Sequence, residues 1–136
     1  MSITGSCLCG AVRYELDGPP QDAGNCHCSM CRKAHGSAFA TYATLEARTF
    51  RWLVGEEYLA VYDSSPSSGR IFCKQCGSSL GTTEHGKIES IALGTVDGDP
   101  GVTPRSHIFM GSKAPWYEVT DDLPQFEAMP PGDGWA

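Results

Sequence analysis

Seven cysteines fall into three tight groups, Cys7-Leu8-Cys9-Gly10, Cys26-His27-Cys28-Ser29-Met30-Cys31 and Cys73-Lys74-Gln75-Cys76-Gly77. No other feature constrains the fold as strongly. Thiolates this close in sequence reach one metal only where the backbone bends sharply around it, and a glycine after the pair admits the positive φ of such a bend. A C-x-C pair on a regular strand would aim its thiols at opposite faces, so Cys7 and Cys9 are expected at a turn or bulge. The two outer pairs together supply four thiolates, the closed tetrahedral set of a structural zinc. Such a metal would tie an N-terminal hairpin to a knuckle far along the chain. The competing reading makes either pair a redox dithiol. A C-x-x-C of that kind belongs in a βαβ setting, whereas RIFCKQCGSSL reads as strand, knuckle, strand.

The central group differs. Cys26 and Cys28 precede a short helix expected over MCRKAH, with Ser29 as its N-cap and Gly36 as its stop. Cys31 falls in the first turn, where the partial positive charge of a helix N-terminus favours thiolate. Arg32 and Lys33 follow at once and would offset the net negative charge that three thiolates leave on one Zn²⁺. Three protein ligands leave a fourth position for water or substrate, the arrangement of a catalytic zinc. His35, four residues after Cys31 on the same helix face, would instead close the site as a structural zinc. His27 is a second candidate closer, although its side chain should point away from those of its neighbours. A third state is a metal-free cluster exposed to oxidation. Spacing alone leaves the open and the closed site both standing.

The bulk of the chain narrows the classes. Its 136 residues suit one domain, 1–136, large enough to bury about two-thirds of its unfolded surface without disulfides. Ten basic residues against 16 acidic ones give a net charge of −6, with no basic run. That argues against a nucleic-acid partner, which needs Lys and Arg to neutralise phosphates. No apolar run approaches the ~20 residues of a membrane span. The opening MSITGSCLCG lacks the charged and apolar regions of a signal peptide, so the expected location is cytoplasmic. There cysteines are kept reduced, and seven of them point to metal or catalysis before disulfides.

Sixteen glycines and nine prolines punctuate strand-like runs. These runs lie at 11–16, 37–45, 49–54, 57–63, 70–73, 79–84 and 87–96, several alternating apolar with polar residues. Turn chemistry separates them at 17–24, 63–69, 84–86 and 97–104. The expected fold is mainly β: a zinc-clamped β-sheet domain of short antiparallel strands with one or two short helices. The second helical turn is placed near TDDLPQFEAM (120–129), opened by Pro124, and 129–136 is expected to be a loose tail.

Four pieces, GSCLCGAVRYEL, NCHCSMCRKAHGSAF, FCKQCGSSL and SHIFMGSKAPWYEVTDDLPQFE, span about residues 5–127 in this order. Together they resemble the glutathione-dependent formaldehyde-activating enzyme (GFA) family. The resemblance implies two zincs per chain. Cys7, Cys9, Cys73 and Cys76 match the structural zinc site, and Cys26, Cys28 and Cys31 match the catalytic zinc ligands. The named activity joins formaldehyde to glutathione, giving S-hydroxymethylglutathione, which is carbon–sulfur lyase chemistry run toward addition. The implied partners are a small-molecule thiol co-substrate, glutathione or another, and a small aldehyde, with no nucleic acid and no membrane. A homo-oligomer is left open. His27 and His35 are the acid/base candidates by their place beside the cluster. Arg32 and Lys33, with Arg105 and Lys113, are candidates for contacts to the carboxylates of the thiol substrate. His107 lies in the matched C-terminal piece without an assigned role, His85 is expected to be exposed in its turn, and Trp52, Trp116 and Tyr117 are expected in the core or at its rim. Two other functions compete: a non-catalytic zinc-stabilised binding module, and a thiol redox enzyme similar to methionine sulfoxide reductase B. The latter needs a free nucleophilic cysteine.

Overall fold

Short strands with inward apolar and outward polar residues build two sheets; the computed structural model describes residues 2–130. Strands β1 (Ile3–Ser6), β2 (Arg13–Leu16) and β5 (Phe50–Val54) form a three-stranded antiparallel sheet in the order β1-β2-β5. In β2, Tyr14 and Leu16 are buried while Arg13 is exposed and Glu15 is only partly covered, the period of a strand with one wet face. The remaining strands are β3 (Asp22–Cys26), β4 (Ala40–Thr44), β6 (Leu59–Asp63), β7 (Ser68–Cys73), β8 (Ser79–Glu84), β9 (Lys87–Ala92) and β10 (His107–Ile108). They form a seven-stranded sheet in the order β10-β3-β4-β9-β8-β7-β6. Every pair in it is antiparallel except β10 with β3, which run parallel.

The sheets meet over an apolar cluster of Ile3, Tyr14 and Leu16 from one side and Ala23, Ala43, Leu45 and Ile91 from the other. Tyr14 stacks on Phe50 with ring centroids 5.2 Å apart and meets Trp52 edge-on at 6.2 Å. Its hydroxyl keeps a partner, Thr95 Oγ1, at 2.8 Å. Two further apolar clusters contain the cysteines. Cys7 and Cys73 pack with Val12, Ile71 and Leu80, and Cys26 and Cys31 pack with Ala40, Tyr42, Ala92 and Ile108.

The mainly β architecture agrees with the sequence reading, and the departures from it are local. Among the described residues there is one α-helix, α1 (Ser29–His35), with four 3-10 turns elsewhere. Its N-cap is Cys28 rather than Ser29: the Cys28 sulfur accepts a hydrogen bond from the Cys31 backbone N–H. The expected second helical turn at 120–129 is absent. Those residues run irregularly, and Gln125 bridges His107, because the chain there satisfies its backbone against the 107–111 segment instead of within itself. His107 N–H donates to Pro124 O, Phe126 N–H to His107 O and Met110 N–H to Phe126 O, each at 2.9 Å. Strand β3 begins inside the stretch read as a separator at 17–24. Its residues DAGNC are small or polar, yet four of the five are buried. The run at 87–96 stops as a strand at Ala92 and continues as a 3-10 turn over Leu93–Thr95. The expected loose tail falls largely on 131–136, outside the described residues. No helix among the described residues is long and apolar enough to cross a membrane.

Candidate metal centres

The outer cysteine pairs sit on two matching knuckles. Cys7 follows β1 and Cys9 lies in the turn before β2; Cys73 ends β7 and Cys76 lies in the turn before β8. In the first knuckle Gly10 N–H donates to Cys7 O at 3.1 Å, and in the second Gly77 N–H donates to Cys73 O at 2.7 Å. Gly10 has φ 79° and Gly77 φ 82°, left-handed values that L side chains resist. The glycine after each pair is therefore what lets the chain turn back so that both sulfurs face one point. All four sulfurs lie within 4.8 Å of one another. Cys7 and Cys9 Sγ are 3.6 Å apart, and Cys9 and Cys73 Sγ 3.9 Å. A tetrahedron with metal–sulfur bonds of about 2.3 Å has edges of roughly 3.8 Å, so these spacings fit one four-coordinate metal, and the all-sulfur donor set suits zinc. The Cys76 thiol is drawn down to about 5, chiefly by the Ser78 hydroxyl and backbone N–H, which prepares it as a thiolate donor. The set joins the β1–β2 hairpin of the small sheet to the β7–β8 hairpin of the large one.

The central cysteines converge where β3 runs into α1. Cys26 is the last residue of β3, Cys28 caps the helix and Cys31 lies on its buried face. Their sulfurs also lie within 4.8 Å of one another, and among the described residues no histidine or carboxylate joins them. Cys28 is drawn down to about 2, first by the Cys26 thiol, then by the Cys31 thiol and the backbone N–H groups of Cys31 and Met30. The Cys26 thiol is pushed up, chiefly by giving its proton to Cys28, then through Cys31 and burial. One thiolate thus forms readily, while three together need a cation among them. That donor chemistry again fits zinc, with three sulfurs for four positions.

His35 is turned to other work. Its Nε2 shares a 2.8 Å hydrogen bond with Tyr42 Oη. Arg70 Nη1 donates to the same oxygen at 3.1 Å, and Arg70 Nη2 lies 3.8 Å from Cys31 Sγ. Burial, then the Arg70 charge, holds His35 below its ordinary pKa. A neutral His35 accepts the phenolic proton, and Arg70 donates to the phenol oxygen. The result is a chain His35–Tyr42–Arg70–Cys31 along one wall of the cluster. Beside it lies a cavity of about 240 Å³ whose walls include Cys26, Cys31, Tyr42, Arg70, Glu89 and Ser90.

His27 points away from the sulfurs, as its place between two of them in sequence suggested. It is fully buried against Phe39 and shares a 2.8 Å hydrogen bond with His107 Nδ1. His107 Nε2 lies 3.0 Å from Asp121 Oδ2. A carboxylate only accepts, so His107 carries its proton on Nε2 and His27 donates from its own Nε2. His27 Nδ1 is then an acceptor buried without a partner. Burial, then His107, pushes His27 down to about 4, and the His107 hydrogen bond holds the Asp121 carboxyl below the usual range.

Arg32 and Lys33 do not line the cavity beside the three sulfurs. Arg32 is partly buried with Nε unpartnered, and Lys33 is exposed. Arg105 pairs with Asp22 at 2.7 Å, and Lys113 Nζ donates to the carbonyls of Ala114 and Tyr117. His85 is exposed, Trp52 packs against the core, and Trp116 stands exposed. Sequence reasoning missed Tyr42, Arg70, Glu89 and Asp121. Asp121 lies inside the matched C-terminal piece without being singled out there; Tyr42, Arg70 and Glu89 read as ordinary strand residues, and only the pairing of β4, β9, β8 and β7 brings them to the cysteines.

The family model described as glutathione-dependent formaldehyde-activating enzyme matches residues 2–112. A Halomonas elongata protein named "Putative glutathione-dependent formaldehyde-activating enzyme" is 33% identical over 129 residues, covering 88% of this chain and 82% of that protein. An uncharacterised lyase of Schizosaccharomyces pombe is 32% identical over 76 residues, 56% of this chain and 53% of its own length. The crystal structure of a Rhodobacter sphaeroides structural-genomics protein superposes with a TM-score of 0.57 at 26% identity, covering 90% of this chain and 98% of that one. With its cysteine pattern folded into a four-sulfur and a three-sulfur group, the chain belongs to the glutathione-dependent formaldehyde-activating enzyme family.

Proposed function

We propose that the protein is a zinc-dependent carbon–sulfur lyase that adds a small thiol, such as glutathione, to formaldehyde or a similar small aldehyde. The observation that carries this reading is the unequal grouping of the cysteines, four in one set and three in the other, with a cavity opening at the set of three. In the proposal Cys7, Cys9, Cys73 and Cys76 hold a structural zinc, and Cys26, Cys28 and Cys31 hold a second one with a position left for substrate. When bound there, the metal supplies a soft cationic site that lowers the pKa of a thiol.

The reaction balances without a redox partner. A sulfur–carbon bond forms, the carbonyl π bond opens toward oxygen, and the thiol proton ends on the new hydroxyl. The chain's own residues keep reactants and proton in place. Arg70 offsets the negative charge of the sulfurs. Tyr42 presents a hydroxyl on the cavity wall, with His35 behind it as the neutral acceptor that can take and return a proton. His27, turned toward His107, braces the loop that carries the cysteines. With both sets holding zinc as proposed, all seven cysteines are ligands, and no separate nucleophilic thiol is left for redox chemistry.

The decisive experiment is the exchange between formaldehyde, thiol and hemithioacetal followed by NMR, with and without protein, since the uncatalysed addition is itself quick. Acceleration by the wild type and its loss in Cys28→Ser are expected. Two zincs per wild-type chain that yield no acceleration with any thiol and aldehyde would leave the binding-module reading in its place.

A further inference from the structure

The cavity beside the three sulfurs has a floor that the sheet lays down in register. Arg70 of β7 faces Thr82 of β8, Thr82 faces Ser90 of β9, and Ser90 faces Thr44 of β4. One polar row therefore crosses four neighbouring strands, and all four residues line the cavity. Thr82 and Ser90 hydroxyls are hydrogen-bonded at 2.5 Å. A register shift between Thr82 and Thr83 leaves Glu89 as the extra residue between Ser90 and Ile88. A bulge re-aims a side chain that regular alternation would send to the opposite face, and Glu89 is a cavity-lining residue beside Ser90. Arg70 and Glu89 are thus opposite charges on one small cavity. Among the described residues neither pairs with an oppositely charged carboxylate or basic side chain: Arg70 gives one N–H to Tyr42 Oη and one, at 3.8 Å, to Cys31 Sγ, and Glu89 is exposed at the cavity's edge.

Charges of both signs lining one cavity that begins at the sulfurs suit a ligand that carries both charges and a thiol. We infer that Arg70 and Glu89 are specificity-determining residues for a thiol bearing an amino-acid head group, with its carboxylate on Arg70 and its ammonium on Glu89. The hydroxyls of Thr82, Ser90 and Thr44 supply hydrogen bonds between the two. This rests on the reading of the three-sulfur centre as an open substrate site. Arg70 suits the carboxylate because its planar fork can give two parallel N–H donors. A free amino-acid thiol and the γ-glutamyl end of glutathione share the head group and differ in its distance from sulfur.

The test starts without any variant. Calorimetric titration of the zinc-loaded protein with cysteine, cysteamine, 3-mercaptopropionate and 2-mercaptoethanol varies the two charges one at a time, with affinities referred to each thiolate's concentration. Cysteine is expected to bind tightest, and each missing charge to weaken binding by about ten-fold, the size of a charge-assisted hydrogen bond. Arg70→Met should erase the advantage of the carboxylate-bearing thiols, and Glu89→Gln that of the ammonium-bearing ones. If Arg70→Met fails to load metal, Arg70→Lys takes its place, with a reduced carboxylate advantage expected. Glutathione binding tighter than cysteine, with the same dependence on both residues, assigns the head group to its γ-glutamyl end; weaker binding assigns it to the free amino-acid thiol. Equal affinity for all four small thiols overturns the recognition proposal and leaves the proposed function standing. No binding of any thiol overturns both, because the central site is then closed.

Discussion

Tyr42 is the residue on which the proposed chemistry turns. Its hydroxyl stands between Arg70 at 3.1 Å and His35 at 2.8 Å, on the wall of the cavity that reaches Cys26 and Cys31. Tyr42→Phe keeps the ring and its packing while removing the proton. A positioned acid or base contributes 10²-fold or more, so a fall in kcat of about 10²-fold is expected, with both metals retained by elemental analysis. Loss of metal in this variant would make the hydroxyl structural instead. Tyr14 gives a separate single-residue prediction, away from the cysteines. Burial, offset in part by Thr95, raises its pKa to about 12 from 10.0. The unfolded chain then loses the phenolic proton at a lower pH than the native one. The stabilisation is complete below pH 10 and disappears as pH rises through about 12. Its size is about 3 kcal/mol, so urea midpoints should fall across that window, and less steeply in Tyr14→Phe.

Among the elements, β3, β10 and the 121–128 segment form one unit around the histidine pair. Cys26 lies opposite Ile108, and His27 N–H donates to Ile108 O at 2.9 Å. The loop bearing Cys26 and Cys28 is therefore hydrogen-bonded to a segment more than eighty residues later, and His27–His107–Asp121 reinforces the junction with side chains. His107→Ala would leave His27 with both ring nitrogens buried and unpaired. A cost of about 3 kcal/mol in urea unfolding is expected, with faster amide exchange at Phe126 and Met110. Asp121→Asn should cost less, since an amide oxygen still accepts from His107. The helix is the weakest element by propensity alone, at seven residues against the roughly 12 an isolated helix needs. Its cap is a cysteine of the cluster, so metal binding and helix formation are expected to strengthen each other. In Cys28→Ser a hydroxyl keeps a capping acceptor but removes a thiolate, and the helix signal should survive while the metal count falls from two to one.

Across the whole molecule the two sulfur centres differ in what they join. The four-sulfur set links hairpins of different sheets, residues 7–9 to 73–76, whereas the three-sulfur set lies within one short stretch already held by β3, β4 and α1. A structural zinc contributes about 10–16 kcal/mol in small zinc domains, as much as the ~5–15 kcal/mol net stability of a typical domain. Cys73→Ser is therefore expected to abolish the cooperative thermal transition, while Cys28→Ser shifts it only slightly. Mild chelation should remove one zinc with near-ultraviolet circular dichroism unchanged, and release of the second should coincide with unfolding.

The sequence by itself determined the parts whose physics is local. Two cysteines and a glycine suffice to specify a knuckle, because the constraint is the backbone of a few residues. Alternating runs suffice to place most strands. The division of seven cysteines into four and three was also legible, since the C-x-C and C-x-x-C pairs answer each other. Strand β3 was not legible, because DAGNC carries neither alternation nor bulk and is buried only by its tertiary surroundings, Ala23 against the small sheet and Cys26 against Ala40 and Ile108. The irregular backbone at 120–129 was hidden for the same reason, since its hydrogen bonds go to residues 107–111. Tertiary structure alone decided the fate of the histidines and the making of the cavity. His35 and His27 both stand within helical or strand reach of the sulfurs, and only packing turned one to Tyr42 and the other to His107. Arg70, Thr82, Ser90 and Thr44 come from four strands, and a register shift of one residue at Glu89 sets what faces them. Registers of that kind are fixed by long-range pairing, which leaves no mark at any single position of the chain.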